Sequence, residues 1–150
     1  MKPCILDTDM LMPLFKGVPS VAERARQHWN LYGHLNITII TYYEVMKGHE
    51  YVRAHDRQKV FDEFCEVNNI VPLDRAACKR AAQVYADLRR SGSLIPDADI
   101  LIAGIALAGG LLMAAALRFQ LDYSGVDKVL ARKRDKANDE DHESGGQGRF

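Results

Sequence analysis

Carboxylate side chains lie beside apolar segments at three places along the chain. Asp7 follows a short apolar run, and Glu44 follows a stretch rich in β-branched residues. Asp97 and Asp99 directly precede a longer apolar run. An α/β fold gathers side chains from the ends of its strands in one cleft, and carboxylate oxygens are the ligands that hard cations prefer. The pattern predicts one divalent-cation site built from Asp7, Glu44 and Asp99, with Asp97 ranked next as a ligand and Asp9 last.

Each acid also has a purely structural interpretation. An acid between a strand and a helix can cap that helix, which suits Asp7 as well as the ligand role does. Asp97 is expected to be the N-cap of its helix, and Asp9 to be a first-turn acid favoured by the helix dipole. Glu44 follows a predicted buried strand, and a buried carboxylate needs a cation or a hydrogen-bond network to offset its desolvation.

The absence of soft ligands near these acids favours Mg²⁺ or Mn²⁺ over zinc. None of the histidines has a ligand-like spacing, and no phosphate-binding glycine loop or nucleophile elbow is present. Cys4, Cys65 and Cys78 form neither a zinc pattern nor a disulfide framework, and we expect them to be buried reduced thiols.

Length and composition indicate one globular domain. The chain has 150 residues, of which 47% are hydrophobic and 27% charged, and its formal net charge is zero. No apolar run approaches the length of a bilayer span, and no cleavable signal is apparent before the first predicted strand, so a cytoplasmic protein without a membrane partner is expected. Arginines and lysines, Lys47 and Arg53 among them, could line the approach of a polyanion, although a solvated helix face explains most of them singly.

Hydrophobic periodicity and turn residues predict alternating strands and helices. Strands are expected over 3–7, 36–40, 70–72 and 111–114, and helices over 8–15, 19–32, 41–48, 51–68, 74–91 and 99–108. Strands separated by helices imply a parallel sheet covered on both faces. The domain is predicted to span residues 1–130, and the charged, glycine-rich segment 131–150 is predicted to be a disordered tail.

Three segments together resemble a known family. Residues 5–11, 41–48 and 95–103 are similar, in order and spacing, to the three acidic motifs of PIN-domain nucleases, and most of all to those of VapC-type toxins. The resemblance covers residues 3–114. It implies a three-layer α/β/α sandwich around a parallel sheet. The strands predicted above would give this sheet four strands.

The resemblance also implies a function. Asp7, Glu44 and Asp99 match the family's acids, Asp97 matches an auxiliary acid, and Thr8 matches a small polar position near the metal. The implied activity is Mg²⁺- or Mn²⁺-dependent endoribonuclease action, in which a metal-activated water hydrolyses the RNA phosphodiester bond. The implied partners are an RNA substrate, a cognate antitoxin protein whose tail enters the acidic cleft, and a second copy of the chain.

The chain departs from the family after the fourth predicted strand. Residues 114–119 read Ala-Ala-Ala-Leu-Arg-Phe where a polar loop is usual, and Asp122 is poorly spaced to replace the missing acid. A degenerate PIN domain that binds antitoxin or RNA without cutting is therefore one alternative.

A haloacid-dehalogenase-like phosphatase is the other alternative. In that family the first acid of a strand-terminal Asp-x-Asp is the nucleophile and the second an acid/base, which suits Asp7 and Asp9. However, residue 11 is Leu where that family prefers Thr or Val, and Glu44 has no role in such a site.

Overall fold

The structure, a computed structural model, describes residues 2–113 and consists of strands alternating with helices. The strands are β1 (Cys4–Leu6), β2 (Asn36–Thr38), β3 (Asn69–Val71) and β4 (Leu112–Met113), and the helices are α1 (Thr8–Phe15), α2 (Pro19–Tyr32), α3 (Ile39–Tyr51), α4 (His55–Glu66), α5 (Arg75–Arg90) and α6 (Asp97–Gly109). Every pairing is parallel, in the order β3-β2-β1-β4. The predicted α/β class and parallel strand pairing are confirmed.

Alternate strand residues supply two separate cores. Leu6, Ile37 and Ile70 are register partners across the sheet and contribute to one cluster with residues of α1, α3 and α4. Ile5 points the other way and packs with residues of α5 and α6, among them Ile105. Successive strand side chains point to opposite faces, so helices cover the sheet on both sides.

The start of α3 differs from the prediction. The second strand ends at Thr38 rather than residue 40, and the helix begins at Ile39 rather than residue 41, with Thr38 as its N-cap. The Thr38 hydroxyl oxygen accepts a hydrogen bond from the Thr41 backbone N–H at 3.0 Å. This cap satisfies a first-turn donor, and it holds the β-branched Ile39 and Ile40 in a helix despite their strand propensity.

The end of α3 also differs, because the helix continues through Gly48 to Tyr51 instead of stopping at residues 47–48. Glycine weakens a helix interior but does not forbid it, and here Gly48 keeps helical backbone. Arg53, just beyond the helix, has a left-handed backbone with φ of 53°. The next helix therefore begins at His55, four residues later than predicted.

Close packing of α5 on α6 fixes the helix that carries Asp97 and Asp99. A Cβ built on Gly104 would lie 2.6 Å from the Ala77 carbonyl oxygen and 2.7 Å from the Ala81 Cβ, so only glycine fits at this crossing. The helix starts at Asp97, preceded by Pro96, which makes no side-chain cap. The prediction that Asp97 is the N-cap is therefore wrong.

The cysteine prediction is correct in part. Cys4, Cys65 and Cys78 are free thiols, and burial raises the pKa of Cys4 and, to about 11, that of Cys65. Cys78, however, is exposed on α5. Across residues 2–113, none of the helices is long and apolar enough to cross a membrane. The altered segment 114–119, Asp122 and the predicted tail lie outside the described residues.

Candidate metal-binding site

Asp7 follows β1 and is the N-cap of α1. Its Oδ1 accepts a hydrogen bond from the Met10 backbone N–H at 3.1 Å. The pKa of Asp7 is raised, chiefly by burial and further by the charges of Asp9 and Asp99, while the hydrogen bond from Met10 opposes the rise. Asp7 therefore caps the helix with one oxygen and also lies within the electrostatic reach of two other acids.

Glu44 lies in the second turn of α3 and is half-buried. Its Oε2 accepts a hydrogen bond from the Thr8 hydroxyl at 2.9 Å. This contact joins the first turn of α1 to α3 and fixes one oxygen of the carboxylate. Glu44 is less enclosed than the sequence suggested, because the side chain lies at the rim of the fold rather than in the core.

Asp99 lies in the first turn of α6. Asp99 is exposed overall, but partial desolvation of its carboxylate raises its pKa first, and the negative charges of Glu44 and Asp9 raise it further. Since Asp99 also raises the pKa of Asp7, it interacts with acids on both α1 and α3. The structure thus brings Asp7, Glu44 and Asp99 into one electrostatic group.

The structure adds Asp9 to the acidic group, and the auxiliary role of Asp97 stays a prediction. Asp97 is exposed on the first turn of α6, and within residues 2–113 no hydrogen bond or ion pair ties it to the other acids. Asp9, ranked last from the sequence, adds negative charge at both Asp7 and Asp99. The sequence does not predict that Asp9 interacts with Asp99, because this interaction depends on how α1 packs against α6.

The chemistry of this donor set fits a hard cation. The two ion pairs of the described residues, Arg26–Glu23 and Arg90–Asp87, lie on helix surfaces, so no lysine or arginine there neutralises the acidic group. No three His, Cys, Asp or Glu side chains of this part of the chain converge closely enough to enclose an ion as they stand. Mg²⁺ keeps several waters and is usually bound by one or two carboxylates, so a pair of acids such as Asp7 and Asp99 fits this kind of ion.

Comparisons with known proteins bear on the family. No family model matches the chain. A VapC ribonuclease from Sinorhizobium fredii is 27% identical over 83% of this chain and 94% of its own length. A tRNA(fMet)-specific endonuclease VapC from Shigella flexneri is 29% identical over 73% of this chain and 82% of its own.

A solved structure agrees with these relatives. The DNA-bound VapBC complex from Salmonella typhimurium contains a chain that is 27% identical to this one, with a TM-score of 0.66. The similarity covers 80% of this chain and 92% of that one. The resemblance to VapC-type PIN-domain toxins, predicted from the three acidic motifs, is therefore confirmed.

Proposed function

We propose that this protein is a VapC-like, Mg²⁺- or Mn²⁺-dependent endoribonuclease whose centre contains Asp7, Glu44 and Asp99. The observation that carries the proposal is the interaction of these three acids, from three separate elements, with no basic residue of the described chain to balance them. The names of the relatives support the reaction class, since both are ribonucleases that cover most of this chain.

Each acid has a distinct part in the proposed centre. Asp7 and Asp99 would hold the cation, Asp97 would contribute as an auxiliary ligand, and Glu44 would present the oxygen that Thr8 leaves free. The bound cation would supply a nucleophilic water at neutral pH and positive charge at the scissile phosphate. Burial, and after it the negative charge of neighbouring acids, raises the pKa values of Asp7 and Asp99, and a bound cation would offset both effects.

The proposal extends to partners and architecture. We propose a cognate antitoxin as protein partner, since the similar solved structure is a VapBC complex. We also propose a homodimer that acts in the cytoplasm. The fold proposed with it is a three-layer α/β/α sandwich around a four-stranded sheet over residues 1–130, followed by a tail over 131–150.

A degenerate, non-cleaving PIN domain is the second candidate. It is favoured by the lack of a closed three-ligand group among residues 2–113 and by the alanines at 114–116. The phosphatase alternative gains no support from the relatives. It also gives no role to Glu44, which accepts a hydrogen bond from the Thr8 hydroxyl.

One experiment separates these candidates. Purified protein and its Asp7→Asn variant would be incubated with structured RNA, including an initiator tRNA, with Mg²⁺, Mn²⁺ or EDTA. Asparagine also caps helices well, so the variant is expected to fold. Metal-dependent cleavage that the variant loses supports the nuclease. Retained antitoxin binding without cleavage supports the degenerate domain, and a phosphoryl group trapped on Asp7 would contradict both.

A further inference from the structure

The exposed side of α3 carries aromatic and basic residues on the same helix as Glu44. Tyr43 and Tyr51 are 60% and 89% exposed, the latter the most exposed large hydrophobic side chain described. Lys47 and Arg53 are also exposed. We call Tyr43, Lys47, Tyr51 and Arg53 the α3 track. The opposite side of the helix packs into the core, so these residues have no structural need to be aromatic.

The α3 track leads away from the acidic group. Tyr51 follows Glu44 by seven residues, which places both on one face of the helix, about 10 Å apart along its axis. Gly48 lies between them, and a Cβ built there would have no atom within 4 Å. The surface between the carboxylate and the tyrosine ring is therefore open and unobstructed by any side chain at that position.

The two basic residues are placed in different ways. The Lys47 ammonium lies 5.3 Å from the centre of the Tyr43 ring, which holds a positive charge beside an aromatic face. Arg53 adopts the left-handed backbone that follows many helices and that glycine fills at least cost. Any residue with a Cβ is strained in this backbone conformation, and strain of this kind often accompanies function.

We propose that the α3 track binds a single-stranded segment of the RNA substrate, with a base stacked on Tyr51 and phosphates beside Lys47 and Arg53. The proposal rests on the proposed function. Exposed aromatic rings interleaved with cations are the arrangement by which proteins hold single strands without reading their sequence. The nearby Glu50 carboxylate, whose Oε1 accepts a hydrogen bond from Gln58 at 3.2 Å, is outnumbered by the two cations of the α3 track.

A second copy of the chain is the competing occupant of this surface. Tyrosine and arginine are common at dimer interfaces, so only Lys47 argues against a second copy by its type, but a polyanion would neutralise both cations of the α3 track. Continuity with the acidic group also favours RNA, because a strand bound along α3 would deliver its next phosphate to Glu44. The two occupants predict different measurements.

The test is binding of a fluorescein-labelled oligouridylate in EDTA, which separates affinity from metal-dependent cleavage. Tyr51→Ala is expected to weaken binding between about 5-fold and about 100-fold, the effect of losing one base–aromatic stack. Arg53→Gly is expected to weaken binding while raising the melting temperature, because glycine relieves the left-handed strain. Leu31→Ala, at a 61% exposed position on α2, is the matched control and should bind as the wild type does.

The outcomes distinguish this proposal from the nuclease proposal. Unchanged affinity in Tyr51→Ala and Arg53→Gly overturns the α3 track, even if the wild type cleaves RNA. Weakened binding without any cleavage by the wild type supports the α3 track and contradicts the nuclease. A Tyr51→Ala variant that changes from dimer to monomer in light scattering, with unchanged RNA affinity, assigns the surface to a second copy and overturns the proposal.

Discussion

The Thr8 hydroxyl donates a hydrogen bond to Glu44 Oε2 across 36 residues of sequence, at 2.9 Å. Thr8 is the first residue of α1, directly after the capping Asp7, and Glu44 belongs to α3. Asp7 caps the first turn of α1, and the neighbouring Thr8 holds Glu44. The position of the Glu44 carboxylate therefore depends on the helix start that Asp7 stabilises. We infer that Thr8 is a positioning residue for Glu44.

Replacing Thr8 should impair cleavage without unfolding the protein. Thr8→Val removes the hydroxyl and keeps the shape, so Glu44 loses its fixed orientation, and the rate of RNA cleavage should fall between about 10-fold and about 100-fold, as for other partners that orient metal ligands. Thr8→Ser should restore most of the rate. A cleavage assay with both variants measures this, and equal losses in Val and Ser would contradict the positioning role.

Neutralising Asp99 should stabilise the metal-free protein. Burial, followed by the charges of Glu44 and Asp9, raises the pKa of Asp99 in the folded state. A carboxyl with a raised pKa favours folding below its unfolded pKa of about 3.9, and this contribution is lost as pH rises through the folded pKa.

At neutral pH in EDTA, Asp99→Asn should therefore raise the free energy of unfolding, by less than about 1 kcal/mol because solvent screens the repulsion. Denaturant unfolding measures the change. Asp87→Asn, which removes the exposed ion pair with Arg90, is the control and should give no gain. A destabilised Asp99→Asn would show that this carboxylate has a structural partner instead.

His28 should make the protein sensitive to mild acid. The ring is buried, its Nε2 accepts a hydrogen bond from the Cys4 backbone N–H at 3.2 Å, and Nδ1 lies 3.2 Å from the His34 carbonyl oxygen. Accepting through Nε2 requires the neutral ring, with the proton on Nδ1. Burial lowers the pKa of His28; the hydrogen bond to the His34 carbonyl oxygen opposes this, and the charge of the His34 ring adds a smaller lowering.

A lowered folded pKa gives stability that is present above the unfolded pKa and is lost as pH falls towards the folded pKa. The free energy of unfolding should decline as pH falls below about 6.5, the pKa of an unfolded histidine, by at most about 1.4 kcal/mol per pH unit. Denaturant unfolding at several pH values measures this slope. His28→Gln should flatten it, and an unchanged slope in that variant would contradict the assignment.

Two glycines in helices should respond oppositely to alanine. At Gly104 the added Cβ would meet backbone atoms of α5, including the Ala81 nitrogen at 2.8 Å, so Gly104→Ala should destabilise the protein by about 1–3 kcal/mol. At Gly48 nothing lies within 4 Å, and Gly48→Ala should stabilise it by about 0.5–1 kcal/mol. Thermal unfolding of both variants tests the packing, and a neutral Gly104→Ala would refute it.

Local signals predicted much of this fold. The predicted start of α5 and end of α2 agree with the structure, in which the Asp74 side chain caps α5 and Gly33 ends α2 in a left-handed backbone, because such signals depend on a residue and its immediate neighbours. The boundaries of α3 were wrong at both ends. Thr38 overrode the strand propensity of Ile39 and Ile40, and Gly48 did not end the helix.

The acidic group shows the same division. The positions of Asp7 and Asp99 at element ends followed from the sequence, since strand and helix starts are local features. The involvement of Asp9 and the bond from Thr8 to Glu44 did not follow, because they depend on how α1, α3 and α6 meet. Contacts between helices that are distant in sequence leave no spacing pattern to read.

The central claim is that Asp7, Glu44 and Asp99 form a metal-dependent ribonuclease centre. Its most direct test is single-turnover cleavage of RNA during a Mn²⁺ titration, with wild type, Asp99→Asn and the control Asp87→Asn. We expect saturable, metal-dependent cleavage by the wild type and the control, and a loss of at least about 100-fold in Asp99→Asn. Cleavage by the wild type in EDTA, or an Asp99→Asn variant that cuts as fast as the control, would contradict it.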